Sequence, residues 1–456
     1  MQTTTNRFAG MDPTSAWEPW RPGDKEPWDA AAAAHLLRRA AFGVSKTRVR
    51  ELLSDSPVAA VERMLTAHQA DSKFEDESKE LASAALATGD AKPLSVWWLH
   101  RMLNSPAPLL EKMTLFWHGH FATGADKVKD PHLMIEQNRL LRQHALGSFR
   151  DMTQAISKDA AMLIYLDSAV NRKAHPNENY ARELMELFCL GEGNYTEADV
   201  QQLARCFTGW EVRRNLFRFN SYQHDDGKKN LLGKEDIESG EEAVEAVLAD
   251  PHGPMFIAAK LFKFYIADEP APPVELLTPL ADQLRRDDWH LAGTVKRMLS
   301  SRLMFSPIVR ARKVRSPIEF GLMWLVGLEG SANLKQLSEW LGQLGQSLFY
   351  PPNVKGWDGG RAWINSSTLV ARANLLPSLL AGEATRFAGA SLNAALQKNG
   401  ITGGSQLIEW LESYQLAVKL SPPAREQIQS LCNGSSERRF GDALVLAAGL
   451  PEAQLS

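Results

Sequence analysis

The chain has 456 residues, 44% apolar and 23% charged. That balance supports a packed interior and excludes wholesale disorder. A net charge of −3 argues against a nucleic-acid coat protein or a polybasic membrane binder, so no nucleic acid is expected as a partner. Residues 1–28 lack periodicity and are rich in Pro and Trp. They predict an extended N-terminal arm whose Trp17, Trp20 and Trp28 pack on the body, because exposed Trp is costly. From Asp29 helical spacing dominates, and AAAAHLLRRAAFG predicts a helix stopped by Gly43. Residues 70–92, charged and then Ala-rich, predict an exposed excursion.

Between Pro93 and Trp210 almost every segment shows apolar residues at i, i+3 and i+4. Pro108 stands at a good first helical position for PLLEKMTLFWHGHF. Residues 211–240 alternate aromatic and polar side chains around Asp226-Gly227 and predict a small β-hairpin. Helices resume to about residue 350. A Pro/Gly loop with two tryptophans follows, and Ser366 or Ser367 is expected to cap the helix after it. The fold class is mainly α: a multi-helix globular core over 29–380 with a small β-hairpin insertion, and a C-terminal helical segment over 381–456. Cys189, Cys206 and Cys432 cannot close a disulfide framework and lack zinc spacing, which fits a reduced compartment. With no run approaching roughly 18 apolar residues and no apolar or twin-arginine leader in residues 1–30, the expected location is cytoplasmic, with no membrane span.

PNENYARELMELFCLG, residues 176–191, reads as a helix that is apolar nearly all round and therefore buried. Only Glu178, Arg182, Glu183 and Glu186 interrupt it. Glu178, Arg182 and Glu186 stand at i, i+4 and i+8, so Arg182 can bridge two carboxylates in one row. One reading is an internal ion-pair ladder. The other sets Glu183 and Glu186 as metal ligands and Glu178 as a general base, with Arg182 orienting the carboxylates or an anionic substrate.

His118 and His120 lie two apart. Within one helix such residues point about 200° away from each other. If the helix ends at His118, Gly119 lets both imidazoles converge, and with a carboxylate they make a plausible first shell for zinc, iron or manganese. The competing reading is a pair of hydrogen-bonded core histidines. No nucleophile elbow, P-loop or dinucleotide fingerprint is present. Thr196 and Asp199 are spaced as a helix cap. RARKVRSP (310–317) reads as a solvated helix end that could hold an anion. Asn353, Lys355, Trp357, Asp358, Arg361 and Trp363 crowd one loop, which either lines a site or packs on its own tryptophans.

Seven strings together carry a resemblance: HLLRRAAFG, PLLEKMTLFWHGHFAT, DAAMLIYLD, PNENYARELMELFCLG, NYTEADVQQLARCFTGW, PPNVKGWDGGRAWINSS and the nearby Arg372. Over roughly residues 30–380 the chain resembles a bacterial family catalogued as a domain of unknown function, number 1800. It departs from the family pattern at Ala160, Ser168 and Cys189, and residues 1–30 read as carrying no leader, whereas the resemblance implies relatives that often look exported. The resemblance implies a mostly helical protein. It also implies a setting beside a sulfatase- or phosphatase-like protein, hence a shared pathway or a complex. Two functions follow as expectations. One is a metal-dependent hydrolase or oxidoreductase that uses the His/Glu set and a divalent metal (Zn, Fe or Mn). The other is a non-catalytic helical scaffold that acts with the sulfatase/phosphatase-like neighbour.

Overall fold

Apolar periodicity becomes helix over most of the chain in the computed structural model, which describes residues 6–67 and 72–456. The sheets among the described residues are three two-stranded antiparallel ribbons. Helix starts carry the expected chemistry. Asp29 accepts the Ala32 amide at the head of Ala30–Ala40, Thr196 and Asp199 form a reciprocal capping box before Glu197–Cys206, and Pro108 opens Pro108–His120. Asn365, not Ser366 or Ser367, caps Ser366–Ala381: its side chain accepts the Thr368 amide and Thr368 bonds back.

Two hydrophobic clusters form the interior. One gathers Trp117, Phe121, Phe149, Phe188 and Phe262; the other gathers Trp98, Phe320, Trp324, Trp410 and Leu444. The Pro108–His120 helix serves both, with Met113 and Trp117 in the first and Leu115 in the second. Pro317–Gly327 is buried along its length, and even Glu319 keeps only 15% of its side chain exposed, so that carboxylate must find charge partners within the protein.

The N-terminal tryptophans pack inward. Trp17 Nε1 donates to Leu276 O at 2.6 Å, Trp20 stacks on Phe305 at 4.3 Å between centroids, and Trp28 Nε1 donates to Asp55 O. Residues 70 and 71 of the predicted excursion lie outside the described residues; its remainder contains a helix, Ser72–Leu86, that turns Ala82 and Ala85 inward. The 211–240 region holds two hairpins rather than one. Trp210–Arg213 pairs with Leu216–Phe219 and Lys229–Leu231 with Lys234–Ile237. Arg214 and Asn215 both take positive φ, the twist a two-residue hairpin turn demands, while Asp226-Gly227 falls in the link between the hairpins. Among the described residues no helix is long and apolar enough to cross a membrane.

Candidate functional site: a lysine-lined cleft

The helix that carries the histidines does not stop at His118. It continues through Gly119 to His120, and the Phe121 amide closes it onto Trp117 O. Both rings therefore leave one helix two residues apart and face different neighbours. His118 sits edge-on to Trp98 at 5.0 Å, and its Nε2 accepts the Phe349 amide at 3.2 Å. Burial holds its pKa at about 3. His120 points to Phe188, whose carbonyl lies 2.9 Å from Nε2. A carbonyl only accepts, so Nε2 carries the proton and Nδ1 is an unprotonated acceptor. That Nδ1 is buried and has no protein partner. Burial, and then the charge of Lys260, keep this ring neutral. The expected convergence of His118 and His120 with Glu183 or Glu186 is thus not formed. Among the described residues no group of three His, Cys, Asp or Glu side chains is placed to hold a metal ion.

The segment expected as one buried helix is two things. Asn179–Glu183 is α-helical, and Leu184–Cys189 widens into a π-helical turn closed by Gly191 at φ +88°. Glu178 and Arg182 lie at the surface rather than inside. Arg182 bonds Glu178 at 3.1 Å and, with two bonds of 2.7 Å, Glu197 across the loop, so it does not bridge to Glu186. Glu186 instead accepts the Tyr195 hydroxyl at 2.7 Å. Glu183 is half-buried; burial and then the Glu186 charge push its pKa up, against the pull of Lys355 and Arg182.

A π-turn shifts carbonyls out of the regular ladder, which is one reason such turns recur at functional sites. Here two successive carbonyls are used. Leu187 O accepts Lys260 Nζ at 2.9 Å and Phe188 O accepts His120 Nε2. Lys260 and His120 are thereby set beside each other on the wall of a cleft of about 310 Å³. The other walls come from Gly253–Tyr265, which supplies Lys263 and Phe264, and from the 353–363 loop, which supplies Lys355, Trp357 and Trp363. Gly356 lets that loop touch the histidine helix: at φ +74°, a Cβ there would lie 2.1 Å from Gly119 O.

The charges in the cleft are unequal in their pairing. Asp268 bonds Lys313 at 2.6 Å and the Val314 amide at 2.7 Å. Glu319 bonds Lys112 and the Ser316 amide; burial raises its pKa, but Lys112 and Lys313 outweigh that and bring it to about 2. Lys260, Lys263 and Lys355, by contrast, have no carboxylate ion pair among the described residues. Lys260 bonds only the Leu187 carbonyl and lies over the Phe256 ring at 4.7 Å, and Lys263 bonds the Asp358 carbonyl. Burial lowers the Lys260 pKa to about 8, with Lys263 adding to the fall and Cys189 opposing it.

A family model described as "Protein of unknown function (DUF1800)" matches residues 35–455. The chain belongs to that family. The match extends well past residue 380, through the C-terminal helices that pack into the second hydrophobic cluster. No curated protein and no solved structure matches the chain. The DUF1800 description carries no activity, so the chemistry rests on the cleft itself.

Of the loop residues singled out in this DUF1800 chain, Lys355 and Trp357 line the cleft, Asn353 accepts the Lys355 amide to shape the turn, and Arg361 faces outward to Glu269 at 2.8 Å. RARKVRSP is not a solvated end: Lys313 and Arg315 are buried. Lys260 and Lys263 were not anticipated. Their signal is present in GPMFIAAKLFKFY, where two lysines three apart stand alone on an apolar helix.

Proposed function

We propose that the protein binds a small anionic molecule, carrying a carboxylate or phosphate, in the cleft between the histidine helix, Gly253–Tyr265 and the 353–363 loop. One observation carries this reading. Three lysine ammonium groups lack carboxylate ion pairs on one cleft, while two of its three acidic residues, Asp268 and Glu319, are already paired and the third, Asp358, meets Lys263 only through its main-chain carbonyl. A bound anion supplies the missing countercharge, and Phe116, Phe264 and Trp357 give it an apolar wall. A thermal-shift panel of oxalate, citrate and inorganic phosphate tests the reading. Stabilisation by at least one anion, reduced in Lys263→Ala and in Lys355→Ala, supports it. Stabilisation unchanged in both variants contradicts it.

The metal-dependent hydrolase or oxidoreductase reading requires His118 Nε2 to release the Phe349 amide, and a carboxylate to reach the unpartnered Nδ1 of His120 while Nε2 keeps the Phe188 carbonyl. It keeps its own check: metal quantitation on purified protein beside His118→Ala and Glu183→Gln. Docking to a sulfatase- or phosphatase-like protein draws support from the first hairpin, where Leu216 is 71% exposed and nearby Tyr222 85%. Mixing the two purified proteins, with Leu216→Asp as control, checks that reading.

A further inference from the structure

We propose that Lys260 is an amine nucleophile that forms a reversible imine with the carbonyl group of a small oxo acid held in the cleft. The inference rests on the anion-binding reading and names the substrate class. A lysine that serves only packing is usually neutralised by a carboxylate when it leaves water. The neighbouring Lys313 obeys this through Asp268, and Lys112 behind the cleft obeys it through Glu319. Lys260 does not: it is tethered by one bond to Leu187 O, with its ammonium over an aromatic face and another lysine three residues on. Burial beside a second cation is the setting that turns a lysine into a nucleophile. Its lowered pKa leaves part of it as free amine near neutral pH.

The remaining groups fit the same substrate. Lys263 and Lys355 lie on the cleft to hold a carboxylate. The His120 ring, kept neutral, lies on the same wall beside Lys260 and adds no competing positive charge. In the step, Lys260 gives a proton to water and its nitrogen lone pair adds to the carbonyl carbon, making a carbinolamine. Proton return to the hydroxyl expels water and leaves a protonated imine. Ammonium plus carbonyl thus becomes protonated imine plus water, with no oxidant or reductant. Hydrolysis reverses it.

The experiment uses the full chain, glyoxylate as the oxo acid, cyanoborohydride to fix the imine, and peptide mapping by mass spectrometry. One dominant reduced adduct on Lys260 is expected. Oxalate, which has the charge but no reactive carbonyl, should slow labelling of the wild-type protein, and Lys260→Arg should lower total labelling about tenfold. Labelling spread over exposed lysines, or a Lys260 adduct indifferent to oxalate, overturns the proposal. If oxalate raises the melting temperature while glyoxylate leaves Lys260 unlabelled, the imine fails and the anion-binding reading stands. If neither occurs, both fail.

Discussion

His118 and His120 differ by what each nitrogen touches, and that difference has a measurable consequence. In the folded protein the His118 pKa is held near 3, below the ordinary 6.5, so the unfolded chain binds the extra proton first as pH falls. Its stabilising contribution is complete above pH 6.5 and is lost on the way down to 3, at about 1.4 kcal/mol per pH unit. His118→Gln keeps an acceptor near the Phe349 amide but does not titrate. Between pH 6.5 and 4.5, wild type should lose about 2–3 kcal/mol more unfolding free energy than the variant, read by denaturant titration. Lys260 has the same sign in a higher pH window. Its folded pKa of about 8 lies below the usual 10.5, so charged Lys260 costs stability at neutral pH, and that cost disappears as pH rises from 8 through 10.5. Lys260→Met should therefore stabilise at pH 7 by roughly 1–2 kcal/mol, after the lost bond to Leu187 is set against the relieved burial, and should lose that advantage above pH 10. A destabilised variant at pH 7 would show Lys260 to be a structural tether.

At the scale of elements, the cleft depends on the approach of the 353–363 loop to the histidine helix. Gly356→Ala places a methyl group against Gly119 O in a left-handed backbone. A cost of about 2–4 kcal/mol is expected, with a change in tryptophan fluorescence as Trp357 leaves the cleft. Stability within 1 kcal/mol of wild type would contradict the contact. The helices themselves were legible from apolar spacing and Pro and Asp caps, as at Ala30–Ala40 and Pro108–His120. Two features were not. Gly119 read as a break, yet tertiary packing carries the helix through it, since Trp117 and His120 are both buried. The π-turn at Leu184–Cys189 leaves no mark in 3.6-residue spacing, because its extra residue is absorbed by the packing of Phe188 and Cys189. The glutamates of that segment were legible as charges; that Arg182 would choose Glu197 over Glu186 depends on a loop return no local pattern encodes. The loop at Lys355 and Trp357 was legible as dense in polar and aromatic groups, but its partner lysines lie about a hundred residues away in sequence.

Across the whole molecule, buried carboxylates hold the helices of the cleft in place. Glu111 on the histidine helix receives Arg101, Arg142 and Trp98. Glu319 ties Lys112 of the same helix to Pro317–Gly327, and it offsets the charge of Lys313, Arg315 and Arg372. Glu319→Gln leaves Lys112 without its ion pair and removes the charge that offsets Arg315 and Arg372, and should cost about 3–5 kcal/mol in urea unfolding; a change below 1 kcal/mol would show the ion pairs to be incidental. The same charge distribution defines the central claim, that three lysines on one cleft await an anion. Crystals soaked in selenate and measured at the selenium edge test it most directly. The predicted result is an anomalous peak inside the cleft, in hydrogen-bond contact with Lys260 or Lys263 and lost in the Lys260→Met, Lys263→Ala double variant. Selenate bound elsewhere on the surface, with the cleft empty, would contradict it.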